Sequence, residues 1–511
     1  MAHQDANRRN GHPNQEHEDA EDAMLDPEEA DEIVEQDGDT AMDSDGEDDE
    51  MVEEVQLHND SVAHWDRHTD SVYCIAQHPT RHELVATGGG DDMAYLWDST
   101  PLEGPILPQS HESSPQPRQR EAREALATLG GQDESVNAIC FALPAGDFVV
   151  TATLAGKLSV FATATGQPVA TAEEVEEINW LAPCPHPQYP HTVAFGAADG
   201  SVWIYRIDPS DTASPLTIVQ TFVLHQASCT AGAWSPDGRL LATVAEDSSF
   251  YLWDAFGDAA AAGVTSPQGS QAVVSLTSAD ERFRVDGGLY SVAISPGGSI
   301  AALGGAQGQI RIVGLPRLSH ASRTAKGSGV ASKSGRAKQS ASAGPAGQAG
   351  QILASLQAQS DGIETLDFSQ PPLTLLAAGS VDGSIALFDA SHNFLLRRHI
   401  PFAHGYAEAA DGGDPEAAEA VIQVQFVKTP LGSANPSGHV LTSCGNDGVL
   451  RRWDARGGNA VATGSKGLLG QWRGHRGGGA GGGILGFVQG GGGARVITAG
   501  DDGICLVFQM D

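Results

Sequence analysis

ELVATGGGDDMAYLWD (83–98), RLLATVAEDSSFYLWD (239–254) and HVLTSCGNDGVLRRWD (439–454) are three versions of one pattern. Each runs as an apolar stretch, a small or polar residue, a turn with an aspartate, an alternating stretch and a final Trp-Asp. Short alternating runs punctuated by Gly and Asp read as strands joined by tight turns. The aspartate stands six residues before the aromatic in Asp91/Trp97, Asp247/Trp253 and Asp447/Trp453. Asp199/Tyr205, Asp382/Phe388 and Asp502/Phe508 keep that offset, and two further copies, Ala155/Phe161 and Gln307/Val313, have lost the aspartate. That makes eight copies. Upstream of most lies another strand signal, as in SVYCIAQHP (71–79), SVNAICF (135–141) and SVAISPGG (291–298), and His68, His225 or His475 precedes some of them.

The pattern resembles the WD-repeat family across residues 61–511, insertions excepted. It implies an all-β fold, an eight-bladed WD-repeat β-propeller. Each copy is one four-stranded antiparallel blade that cannot bury both of its faces alone, so blades pack on one another around an axis. The resemblance further implies a hydrogen-bonded set running from aspartate through histidine and Ser/Thr to tryptophan. That set falls on Asp91, His68, Thr87 and Trp97 in the first blade and on Asp247, His225, Thr243 and Trp253 in the fourth. In the last it falls on Asp502, His475, Thr498 and Phe508, where phenylalanine cannot donate the final bond; Asp447 and Trp453 are its ends in the seventh. A buried polar set is worth keeping only when every member is satisfied. Degenerate copies are therefore expected to drop several members together, as the second does with Gln132, Ala155 and Phe161. The chain stops three residues after the last aromatic, so the last blade lacks an outer strand, and the unused SVAHWDR (61–67) is expected to supply it. Such a clasp would tie the two ends together and remove an exposed edge.

The charge is lopsided. The chain carries 29 Lys and Arg against 66 Asp and Glu, a net −37, of which residues 1–56 hold −20. That segment has too little apolar surface to offset the entropy of ordering and reads as a disordered acidic tail, either solubilising or a docking arm for basic partners. The body remains at −17, a poor footprint for nucleic acid and a natural complement to a basic protein. Three insertions interrupt the ring. Residues 99–130 are polar, with a short helix expected at 120–129; residues 314–350 carry six Lys/Arg and no acid and read as disordered; residues 405–420 are an acidic loop. No apolar run approaches the ~18 residues of a membrane span, and the N-terminus lacks the core of a secretory signal. Six scattered cysteines without a CxxC pair read as reduced thiols in the cytoplasm, with the nucleus as a second compartment.

Searches for chemistry return nothing. LAGKLS (154–159) and GSKGLLG (464–470) lack the spacing of a phosphate loop, and there is no HExxH and no GxSxG. Cys184, His186 and His191 in PCPHPQYPH (183–191) match no standard metal site. No catalytic residue, metal or cofactor is expected. The protein reads as a docking platform rather than an enzyme.

The third repeat narrows the field. VEEINWLAPCPHP (175–187) followed by AFGAADGSVWIYRI (194–207) resembles the angio-associated migratory cell protein family. The fungal member of that family is the dedicated chaperone of a late-joining, basic large-subunit ribosomal protein (L ten in the older naming, L sixteen in the universal one). The resemblance implies such a ribosomal protein, through its N-terminal segment, as partner to a monomeric propeller. The basic insertion 314–350 has no counterpart in the family pattern. In a propeller, the loops before the inner strands and the turns between second and third strands meet on one face. Asp70, Glu134, Glu176, Glu246, Asp361, Glu364 and Asp501 stand at those positions and are expected to ring the channel mouth as a basin for Lys and Arg. Histone or nuclear-factor binding, and a signalling or ubiquitin-ligase adaptor, are the alternatives.

Overall fold

A computed structural model describes residues 59–101, 122–265, 272–318, 348–405, 418–429, 438–456, 467–476, 482–490 and 492–510. The 1–56 tail, most of the 99–130 and 314–350 insertions and nearly all of the 405–420 loop lie outside the described residues. Within them the strands form eight four-stranded antiparallel sheets. The inner strands of blades 1 to 8 are Cys74–Gln77, Val136–Phe141, Ile178–Pro183, Cys229–Trp234, Leu289–Ile294, Ile363–Phe368, Val421–Phe426 and Ile484–Gln489.

Burial explains the sequence pattern. Second strands such as Phe148–Thr153 and Leu240–Ala245 are buried at every position, since a neighbouring blade covers each face, and they read as continuous apolar runs. Outer strands such as Ile352–Gln357 alternate between half-buried and exposed. The blade-to-blade cores mix residues of consecutive repeats: Ala86, Leu96 and Leu129 of blade 1 pack with Val136, Phe141 and Phe161 of blade 2.

The ring closes as the sequence predicts. Ala63–Trp65 pairs antiparallel with the last strand, Trp65 opposite Cys505, and completes blade 8. The Trp65 indole, fully buried, stacks on Trp97 of blade 1 at 5.4 Å and 4° between planes.

Several local expectations need correction. The stretch expected to be helical at 120–129 instead holds a strand, Ala125–Thr128, the outer strand of blade 1. Its Ala- and Leu-rich composition favours helix only weakly. Pairing of Thr128 with Tyr95, and full burial of Leu129, outweigh that preference.

The polar sets also differ from blade to blade. In blade 1, His68 bonds Asp91 (2.9 Å) and Thr87 (3.1 Å), but the stacked Trp97 has no partner at Nε1 among the described residues. In blade 4 Asp247 reaches His225 through a serine: Ser249 Oγ bonds Asp247 and lies 2.5 Å from His225 Nδ1. Beyond His225 the set continues through Thr243 (2.8 Å) to Trp253 Nε1 (2.8 Å). Blade 7 has a complete set through His404, a residue the sequence pattern missed, joining Asp447 (2.9 Å) and Ser443 (2.8 Å), with Trp453 donating to Ser443. Arg451 adds a cation beside Asp447. Blade 8 keeps Asp502, His475 and Thr498 as expected. Blade 2 drops the ends of the set as expected, with Ala155 and Phe161 in place of aspartate and tryptophan, while Gln132 takes the histidine's place and donates to Thr151 (3.0 Å).

Candidate functional site

One face of the ring is built by interlocked loops. The segment entering each inner strand exchanges backbone hydrogen bonds with a nearby turn between second and third strands. Gly90 N–H donates to Ser71 O, Ala198 N–H to Glu177 O, Val381 N–H to Gly362 O and Asp501 N–H to Gly483 O. These bonds satisfy polar backbone that neither sheet can use, and they place both loop sets at the same end of the channel.

The seven acids lie on that face. Asp70, Glu134, Glu176 and Asp361 occupy one register position, two residues before the fully buried Val72, Val136, Ile178 and Ile363, and all four are exposed. Glu246 and Asp501 each precede the structural aspartate of their turns. Asp501 accepts from Ser71 Oγ at 2.5 Å, which ties the blade 8 turn to the start of blade 1. Glu364 differs from the expectation of a loop residue, since it lies within the inner strand Ile363–Phe368. Burial and the charges of Glu246, Glu364 and Asp361 push the Tyr290 phenol up, so carboxylates from blades 4 and 6 converge on blade 5. Desolvation, and then the charge of Asp361, push the Glu364 carboxyl up although its side chain is open to solvent. A group reached by water yet walled by protein fits the mouth of a channel.

A ring of bulges governs what faces that mouth. In blades 2 to 8 the inner strand breaks register at its second residue: Asn137, Asn179, Thr230, Tyr290, Glu364, Ile422 and Leu485. A bulge leaves its extra residue unpaired and re-aims the side chain. Tyr73 holds the same register position in blade 1, after Val72. Sequence reading found only Glu364 of this set. The signal was present, because each bulged residue follows the buried apolar residue that opens the strand, but no single repeat reveals it.

Side chains at or beside these positions latch each of blades 1 to 7 to the next. Asn179 donates to Cys229 O (3.0 Å), Thr230 to Leu289 O (2.6 Å) and Ser291 to Ile363 O (2.7 Å). Thr365 accepts from Val424 N–H (3.1 Å) and Gln423 from Phe487 N–H (2.8 Å). Asn137 and Cys74 serve the joints of blades 2/3 and 1/2. At the 8/1 joint the equivalent of Gln423 and Thr365 is Gly486, which has no side chain to latch. A cavity of about 430 Å³ lies there, lined by Tyr73, Leu485, Gly486 and the glutamines 77, 423, 425 and 489.

The remaining ligand-like residues are used in packing. Cys184 donates to Gly238 O, and His186 accepts from Gln188 N–H and meets Tyr189 and Phe256 edge-on. Among the described residues no group of three or more His, Cys, Asp and Glu could hold a metal, and no helix is long and apolar enough to cross a membrane.

Known proteins share this architecture. The WD domain, G-beta repeat family matches residues 59–98, 216–254 and 350–389. The ribosome assembly protein SQT1 of Saccharomyces cerevisiae is 36% identical over 218 residues, 41% of this chain and 45% of that protein, so the aligned stretch spans under half of the yeast protein. Human angio-associated migratory cell protein is 25% identical over 427 residues, 83% of this chain and 75% of its own. The crystal structure of Chaetomium thermophilum Sqt1 bound to the N-terminus of ribosomal protein L10 superposes with a TM-score of 0.72 at 45% identity, covering 89% of this chain and 100% of that one. With eight blades, a terminal clasp and this identity across an entire Sqt1 chain, the protein belongs to the Sqt1 family of WD-repeat proteins.

Proposed function

We propose that this protein is a dedicated chaperone of a newly made, basic large-subunit ribosomal protein of the L10 class. It holds the N-terminal segment of that protein on the acidic face and assists its loading during ribosome assembly. The observation that carries the reading is the convergence of Glu246, Asp361 and Glu364 from two blades on Tyr290 of a third, at the mouth of a rigid ring. The related Chaetomium Sqt1 binding the N-terminus of L10 supports the partner's identity. Converging carboxylates on a preorganised surface attract Lys and Arg without needing a cofactor or a reaction. The binding unit is a monomer acting in the cytoplasm, as a docking surface and not as an enzyme, with no nucleic acid bound directly.

Exposed ion pairs contribute only about 0.2–1 kcal/mol each. Binding must therefore draw on several carboxylates at once and weaken with salt, since charges beyond ~8 Å are screened at physiological ionic strength. Titration of the L10 N-terminal peptide against wild type and the triple variant Glu134→Lys, Glu246→Lys, Glu364→Lys at two salt concentrations is the test. The triple variant should lose binding while its melting curve stays cooperative. Equal affinities would move the site to another surface, and co-purification of histones or of cullin-type subunits in place of the ribosomal protein would overturn the partner.

A further inference from the structure

At the 8/1 joint the channel wall is open, uncharged and roomy, with blade 7 glutamines on one side. Its mouth is formed by Tyr73, 41% exposed, and Leu485 at the bulge position of blade 8. Its floor is amide: Gln489 donates to Gln425 O and Gln423 accepts from Phe487 N–H, while the Gln425 amide has no side-chain hydrogen bond among the described residues. No charged residue lines it. Asp70 of the acidic ring stands beside its mouth: a Cβ at Gly90 would lie 3.2 Å from both the Asp70 carboxylate and the Tyr73 ring.

We infer that this cavity is an anchor subsite taking one large, uncharged side chain of the bound basic segment, an aromatic one with a polar tip such as tyrosine. The inference rests on the reading of the acidic face given above and adds a second kind of recognition to it. A guanidinium or ammonium on the glutamine floor would give up hydration for neutral amides, since no carboxylate lines the cavity, which disfavours there the Lys and Arg side chains that the surrounding acids attract. An aromatic body suits the Tyr73 and Leu485 mouth, and a hydroxyl or indole N–H at its tip suits the glutamine floor. The acidic ring then sets charge and approach, and the 8/1 cavity fixes register.

The test is an alanine scan of the bound segment by titration against the full chain and against Gly486→Val, at two salt concentrations. At Gly486 a Cβ would meet nothing nearer than Gln423 Oε1 at 3.6 Å and Ile75 Cγ2 at 3.7 Å, which are ordinary contacts. Valine also suits a strand, so the variant keeps the fold while its methyls narrow the cavity. Alanine at each basic position should weaken binding and flatten its salt dependence. Alanine at one large uncharged position should weaken binding ~tenfold with the salt dependence unchanged, and that loss alone should vanish in Gly486→Val. Leu485→Ser, which strips the apolar mouth without blocking it, should shrink the same loss. The subsite is overturned if no uncharged position matters, if its loss persists in both variants, or if the loss they cancel belongs to an arginine or lysine. Failure of the unsubstituted segment to bind at all would instead bring down the acidic-face reading itself.

Discussion

Seven joints of the ring are latched inside the channel by a side chain of one inner strand bonded to the backbone of the next; the eighth, between blades 8 and 1, is closed differently. There the contacts sit at the periphery and on the top face: the Ala63–Trp65 clasp, the Trp65/Trp97 stack and the Ser71–Asp501 hydrogen bond. The interior of that joint holds Gly486 and the cavity. The difference follows from connectivity. Blades 1 to 7 are each linked to the next by continuous chain, whereas the ends meet at 8/1 with no such link, and the clasp supplies it by giving blade 8 its fourth strand. Holding the joint from outside leaves the interior open.

The largest test of this contrast is at the clasp. Trp65→Ala removes a fully buried indole from the 8/1 joint and should cost ~3–5 kcal/mol, read as a large fall in melting temperature. A loss under about 1 kcal/mol would mean that the clasp merely covers an edge and that closure resides elsewhere.

Acid should act on blades 1, 4 and 7 through their buried histidines. Desolvation lowers the pKa of His68 and His404, and of His225 to about 4. Each is held neutral in the fold and takes up a proton more readily when unfolded. Stability is therefore full above the unfolded value of about 6.5 and falls as pH drops from there toward 4, by roughly 3 kcal/mol for His225 alone. Gln132 and Gln359 occupy the histidine position in blades 2 and 6, so His225→Gln should retain a folded ring and flatten the pH profile of thermal unfolding. An unchanged profile would locate the acid sensitivity in the carboxylates.

A smaller effect separates latched from unlatched joints directly. Asn179→Ala leaves Cys229 O without its latch and should cost ~1–3 kcal/mol, whereas Gly486→Ala at the 8/1 joint, where a Cβ meets only ordinary contacts, should change stability by less than about 0.5 kcal/mol. Similar losses from both would erase the distinction between the joints.

Much of this was legible in the sequence, and the rest was hidden for physical reasons. The six-residue offset from aspartate to aromatic fixes the blade, because it spans the turn and the third strand. The spare SVAHWDR announces the clasp. His404 escaped because residues 405–420 separate it from its inner strand, so it lacked the short spacing that marks His68 and His225. The Ser249 relay escaped because a hydroxyl two residues past an aspartate looks like ordinary turn chemistry. The latches and the cavity are properties of neighbouring repeats taken together, and a glycine such as Gly486 shows its role only beside the Gln423 and Thr365 of the other blades.

The smallest expected change in stability belongs to Glu364, where stability and binding pull apart. Its carboxyl is pushed up by desolvation and by Asp361, so its charged form is less favourable in the fold than in the unfolded chain. A carboxyl with a raised pKa costs stability once pH exceeds the unfolded value, and the full cost is present at neutral pH. Glu364→Gln keeps the shape and removes that cost, so the melting temperature at pH 7 should rise slightly, while at pH 4 variant and wild type should melt alike. Its partner carboxylates Glu246 and Asp361 remain, so binding of the basic segment should weaken only modestly and lose part of its salt dependence. A variant that melts lower at pH 7 would show that Glu364 is held by favourable bonds of the fold and is not a charge kept at the mouth for a cationic partner.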